Sequence, residues 1–194
     1  MFQQPDGMPV PALLFRPPNH GNRRLHAVII ADGRGMTRVM KSTLVRELLN
    51  EKTAVFTVDL RGFGETRDAG SNAKYQSHSH RTANVATHIG RPLLGQRVGD
   101  LLSVVDFLEG ISSERVGDIR LVGIHAAAPA VLHAAALDDR VQQTTLQQSP
   151  VNSWADDVVA KPLRSDMVDH VFPGALRWYD LSDLEFTLKD RLWK

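Results

Sequence analysis

Residues 118–137 read DIRLVGIHAAAPAVLHAAAL. Asp118 to Gly123 is a short, nearly continuous apolar run, the mark of a strand covered on both faces. Ala126 to Leu137 follows as an alanine-rich helix, in which Pro129 is tolerable because it falls in the first turn. A buried strand running straight into a helix is half of a strand–helix–strand unit. His125 stands at the junction.

The same rhythm extends outward in both directions. Upstream, Pro92 to Glu109 carries Val98, Leu101, Leu102, Val105 and Leu108 at helical spacing. Thr53 to Val58 (TAVFTV) and Leu25 to Ala31 (LHAVIIA) read as two more buried strands. They are closed by Asp59 with the Gly62/Gly64 turn, and by Asp32-Gly33-Arg34-Gly35. Between them a helix is expected with Met40, Leu44, Val45, Leu48 and Leu49 on one side. Pro9 to Arg16 reads as an edge strand, because its two prolines cannot donate to a sheet ladder. Arg67 to Gly90 is polar and lacks a period, so it is expected to be a long surface excursion. Downstream, Val141 to Leu146 is expected as a fourth strand, with short helices near Trp154 to Val159 and Asp180 to Leu188.

This alternation predicts an α/β fold with a mostly parallel sheet and helices on both faces, formed by residues 1–194 as one domain. Ligands in such sheets bind beyond the carboxyl ends of the strands. Attention therefore falls on Asp32 to Gly35, Asp59 to Gly64, Ile124 to Ala127 and Gln147 to Ser149.

Composition narrows the function classes. The 194 residues hold 23 Lys plus Arg against 22 Asp plus Glu, for a formal charge of +1. That balance gives no electrostatic ground for a nucleic acid or an anionic membrane as partner. No apolar run approaches a spanning helix, and the N-terminus has no basic start or apolar core of a signal peptide. A cytoplasmic location is the default expectation. With no cysteine in the chain, disulfides, thiolate metal sites and cysteine nucleophiles are excluded.

The runs HAVIIADGRG (26–35), VFTVDLRGFGET (55–66), GRPLLGQRVGDLLSVVDFLE (90–109) and IRLVGIHAAAPAVLHAAALDDRV (119–141) resemble the α/β-hydrolase superfamily, and within it the acetyl xylan esterase and dienelactone hydrolase group. The resemblance covers residues 10 to 150. It implies a G-x-S-x-G elbow that lifts a serine above the sheet. Here Gly123 matches the first glycine, His125 takes the serine's place and Ala127 replaces the last glycine. It also implies oxyanion-binding amides at Gly33 to Gly35 and at Ala126. The family's acid and histidine follow later in the chain. Lys194 falls about where the strand preceding that acid is expected, so the resemblance is to a shortened member lacking the triad.

His125 then admits two readings. In one the elbow has decayed and the protein is a catalytically inactive binding or scaffold protein on a hydrolase fold. In the other His125, with Asp32 as orienting carboxylate, activates water against a carboxylic ester or lactone. In another form of this second reading a divalent metal ion lies between Asp32, Asp59 and His125 and lowers the pKa of a bound water. Asp59 has a plainer role as anchor for the turn at Arg61 and Gly62. Secondary candidates are the His78-x-His80 pair, feasible as a chelate on an extended segment, and Ser149. Arg34, with Arg61 and Arg67, could clamp a carboxylate or phosphate. The partner implied is a small ester or lactone, and an exposed last strand favours a homodimer.

Overall fold

The computed structural model describes residues 2–3, 7–18, 25–68, 79–110, 116–164 and 167–193. A short antiparallel ribbon pairs β1 (Phe2–Gln3) with β2 (Pro9–Val10). The main sheet is built from β3 (Ala12–Phe15), β4 (Leu25–Asp32), β5 (Ala54–Val58), β6 (Val116–Ile124), β7 (Val141–Gln147) and β8 (Leu192–Trp193), in the order β3-β5-β4-β6-β7-β8. Every pairing is parallel except that of β3 with β5. The edge strand expected over Pro9 to Arg16 is divided: Ala12–Phe15 takes the edge of the main sheet as β3, while Pro9–Val10 pairs in the separate ribbon.

Period two explains how the inner strands are covered. Ala27, Ile29 and Ala31 of β4 pack into one apolar cluster, while Val28 and Ile30 pack into another on the opposite face. The larger cluster is closed by α4 (Leu93–Gly110) and α5 (Ala128–Leu137). The smaller is closed by α1 (Met36–Met40) and α2 (Thr43–Asn50). Leu101 of α4 is fully buried, and truncating such a leucine to alanine costs about 2–5 kcal/mol. α5 is buried on nearly every side from Ala128 to Ala135. Its alanines permit that, and Gly123 completes the fit: a Cβ there would lie 2.8 Å from the Ala128 Cα and 2.8 Å from the Val131 Cβ.

Two expectations change on inspection. The helix after Gly35 is divided at Lys41–Ser42, where the Ser42 hydroxyl donates to the Val39 carbonyl at 2.6 Å. Serine offers the backbone a local alternative to the helical ladder. Met40 is exposed as a result. The polar excursion contains α3 (His80–His88), which buries Ala83 and Ala86 against Leu93. Small residues carry that packing, so no large apolar stripe announces it. Beyond β7 the chain forms a single π-turn at Ala155–Val159 and then α6 (Leu181–Thr187). A capping box opens α6: the Asp180 carboxylate accepts the Leu181 N–H, and Asp183 Oδ2 accepts the Asp180 N–H at 2.8 Å. Among the described residues, no helix is long and apolar enough to cross a membrane.

Candidate active site

The strands β5, β4 and β6 are neighbours, so the residues at their carboxyl ends converge on one crest as the sequence predicts. Each has a distinct job there.

Ile124 ends β6 in an extended conformation, and His125 turns the chain with φ 53° into the short 3₁₀ turn that starts α5. A left-handed conformation at a residue with a bulky side chain costs about 1–2 kcal/mol and persists where surrounding packing imposes it. The packing here comes from Gly33, which abuts the turn. A Cβ at Gly33 would lie 2.5 Å from the Ala126 Cβ and 2.8 Å from the Ala126 nitrogen. The Gly33 N–H also donates to the Ile124 carbonyl at 3.0 Å. The crest of β4 thus clasps the elbow of β6.

Nδ1 of His125 lies 3.3 Å from Oδ1 of Asp32. This is ion-pair distance without hydrogen-bond alignment, since the buried Nδ1 meets no acceptor in bonding geometry. The His125 side chain is 27% exposed and that of Asp32 only 2%. With Nδ1 buried, the exposure of the imidazole lies on the rest of the ring.

Asp32 is held from its other side by Arg34. Oδ1 accepts the Arg34 backbone N–H at 2.9 Å, and Oδ2 accepts from the guanidinium at 3.0 Å, with Nε bridging both oxygens at 3.3 Å. These hydrogen bonds raise the Arg34 pKa above its ordinary value. The Arg34 side chain is half-exposed, so its positive charge stands at the crest on Asp32.

The part of the expected amide cradle at Gly33 to Gly35 is occupied. Gly33 N–H is bound to Ile124, Arg34 N–H to Asp32, and Gly35 N–H donates to the Asp32 carbonyl at 2.8 Å. The Met36 N–H donates to Asp59 Oδ1 at 2.6 Å. Turn formation has used the donors that a free loop would offer.

Asp59 takes the anchoring role. Besides Met36, its Oδ2 accepts the Glu65 N–H at 2.9 Å. Gly64, at φ 49°, leaves room for it, since a Cβ there would fall 1.9 Å from Oδ2. One carboxylate therefore ties the loop after β4 to the turn after β5. Among the described residues, no group of three or more His, Asp or Glu is disposed to hold a metal ion, so Asp32, Asp59 and His125 do not form the metal set weighed from the sequence. His80 opens α3, and His78 lies outside the described residues. The Ser149 hydroxyl donates to the Val151 carbonyl at 2.6 Å, a turn role. Arg67 is exposed, whereas Arg61 is buried.

Behind the crest lies a buried ionic network that sequence reading missed. Arg61 forks onto Asp100 at 2.7–3.1 Å, and its backbone N–H donates to the same carboxylate. Arg97, fully buried, donates to the Arg61 carbonyl, to Ser79 Oγ and to Asp169, and lies 3.9 Å over the Phe63 ring. Burial opposes the Asp169 carboxylate, but His170 and Arg97 outweigh it and hold its pKa below the ordinary value. The available signal was spacing: Arg97, Leu101, Val104 and Leu108 fall on one helical face, so a charge sits on the buried stripe of α4.

No protein-family model and no curated protein matches the sequence. Solved structures do match in fold. A Bacteroides fragilis protein regarded as an acetyl xylan esterase aligns with a TM-score of 0.75 at 15% identity, covering 94% of this chain and 55% of that one. Est1E of Butyrivibrio proteoclasticus, with ferulic acid bound, gives 0.54 at 19% identity, over 75% of this chain and 51% of its own. An alpha-beta serine hydrolase homologue from Coxiella burnetii gives 0.54 at 18%, covering 85% and 68%. This chain spans about half the length of Est1E and of the Bacteroides protein. The fold is that of the α/β-hydrolases.

Proposed function

We propose that the protein hydrolyses small carboxylic esters or lactones, with His125 activating water in place of a serine nucleophile. One observation carries this reading: an imidazole occupies the strained, left-handed elbow above the sheet, with a buried carboxylate oxygen 3.3 Å from its inner nitrogen. Strain of this kind is retained where something depends on it.

The chemistry follows from the two nitrogens. Asp32 favours the tautomer with the proton on Nδ1, leaving the Nε2 lone pair as base. Catalytic hydrogen bonds are often long in an unliganded protein and tighten when substrate binds. Nε2 takes a proton from water as the water oxygen bonds to the substrate carbonyl carbon. The carbonyl π electrons move to oxygen, giving a tetrahedral oxyanion. On collapse the bond to the alkoxide breaks, and the imidazolium returns the proton to that leaving group. The amides of residues 33–36 are committed elsewhere, which leaves the Arg34 guanidinium and the Ala126 N–H to meet the oxyanion charge.

Those committed amides also favour a second reading, a hydrolase-fold protein that binds without turnover. Hydrolysis of p-nitrophenyl acetate and of an unsubstituted δ-lactone by wild type and His125→Ala separates the two. Turnover lost in the variant supports the first. Turnover that persists unchanged in His125→Ala overturns it, and wild type without turnover leaves the binding protein.

A further inference from the structure

Away from the crest, on the flank where α4, α5 and α6 meet, lies a partly open cavity of about 520 Å³. That is within the range of small-molecule sites, roughly 300–1,000 Å³. Val98, Leu102, Phe172 and Leu184 supply apolar wall, and Gly95 leaves the room that Phe172 occupies. Among the described residues, no Asp, Glu, Lys or Arg lines it. Its polar atoms come from His133, Tyr179 and Thr187, and their hydrogen-bond directions can be worked out.

His133 Nδ1 lies 2.6 Å from the Pro129 carbonyl. A carbonyl only accepts, so Nδ1 carries the proton and Nε2 is a bare lone pair. Nε2 lies 3.1 Å from the Tyr179 hydroxyl, which must therefore donate to it. The Thr187 hydroxyl likewise donates to the Asp183 carbonyl at 2.9 Å. Both hydroxyls have spent their protons within the protein, and the cavity is left with acceptor oxygens. The ring of His133 is held among Trp154, Phe172 and Tyr179 at centroid distances of 5.5–6.3 Å within that cluster, so this chain of bonds has a fixed frame. Burial lowers the His133 pKa and raises that of Tyr179, which keeps both neutral near pH 7.

We infer that this cavity is a binding site for an uncharged, largely apolar molecule that carries a hydroxyl or N–H donor, of the phenol or long-chain alcohol class, with the donor bonded to the Tyr179 oxygen. The site is separate from the crest and does not depend on the hydrolytic reading. An ether of the same shape fills the cavity but leaves the tyrosine oxygen unmatched. A carboxylate brings a charge to a wall with nothing to pair it.

The test is a fluorescence titration of the whole chain with 2-naphthol, 2-methoxynaphthalene and 2-naphthoate. Saturable binding of 2-naphthol is expected, about 2- to 10-fold tighter than the ether, the span of one net hydrogen bond. Naphthoate should bind more weakly than both. Ala136 of α5 also lines the cavity, so Ala136→Phe fills it and should remove binding of all three, with circular dichroism confirming the fold. The double variant His133→Phe/Tyr179→Phe keeps ring packing and should equalise naphthol and ether. His125→Ala should leave naphthol binding unchanged. Absence of saturable binding, equal affinity for naphthol and ether in wild type, tighter binding of naphthoate, or binding that survives Ala136→Phe would each overturn the inference.

Discussion

His125 and Asp32 approach to 3.3 Å across two adjacent parallel strands: Asp32 holds the last paired position of β4, beside Ile124 of β6, and His125 is the residue that follows Ile124. The contact is therefore produced by strand register. A slip of one strand would send the two side chains to opposite faces.

That geometry sets the first expectation. His125→Ala should lower the rate of ester hydrolysis by about 10²- to 10⁴-fold, the usual worth of a positioned base. Asp32→Asn should lower it too, because an amide cannot stabilise an imidazolium as a carboxylate does. Added imidazole should restore part of the His125→Ala rate. Steady-state assays check all three, and an unchanged Asp32→Asn rate would remove the orienting role.

Strain and function should pull apart in one variant. His125→Gly relieves the φ of 53° and should stabilise the fold by about 1 kcal/mol while abolishing turnover. Gly33→Val acts oppositely, since its Cβ would meet Ala126 at 2.5 Å. Overpacking of this kind costs about 1–3 kcal/mol. Urea midpoints at constant m-value read both.

The buried network should be intolerant of single losses. Arg97→Ala takes the guanidinium from the buried Asp169 carboxylate and leaves His170 beside it, at a cost of about 3–5 kcal/mol. Arg97→Met with Asp169→Leu should recover much of that. Denaturation of the single and double variants gives the coupling, and additive losses would mean that the pair is not a unit.

Acid should weaken the fold in two stages of the same sign. His133 has its pKa lowered on folding from an ordinary 6.5, so the unfolded chain binds more protons below that pH, and stability falls as pH drops from about 6.5 towards the folded value. Asp169, lowered from 3.8, contributes stability above that value and loses it as pH falls through its folded pKa. Melting temperature followed from pH 8 to 3 should show both, and His133→Gln should remove the upper stage. An upper stage that survives this substitution would assign it to another group.

Covalent reagents give a simpler outcome. Phosphonates and sulfonyl fluorides should leave no adduct on the peptide spanning residues 121–137, which contains no hydroxyl nucleophile. Ser149 and Ser153 are engaged with Val151 and Asp180 and should also remain unmodified. Intact mass and peptide mapping decide it, and a stoichiometric adduct at either serine would locate the nucleophile there.

Much of this architecture was legible because the inner strands are short apolar runs bounded by glycine and aspartate. VIIA and VFTV can be little else in a chain with regular helices between them. His125 could be placed because a strand signal ends and a helix signal begins on either side of it. What could not be read were contacts made by small or turn-forming groups. Ala83 and Ala86 bury α3 without a large apolar residue, and the amides at 33–36 are spent on a turn that composition does not encode. Arg97 and Asp100 sit on the inner face of α4, within a stripe whose leucines and valines alone carry the periodic signal.

The position of β4 in the sheet also has a consequence for how the chain is made. Ile29 pairs on one side with Phe56, close behind it in the chain, and on the other with Leu121. During synthesis at about 5–20 residues per second, β4 and β5 emerge together and then wait several seconds for β6 to leave the ribosome. Throughout that interval one long edge of β4, bearing Val28, Ile29 and Ile30, has unpaired amides and carbonyls beside apolar side chains. That edge is open to pairing with other chains, and its vulnerable window closes when residue 124 is free to pair.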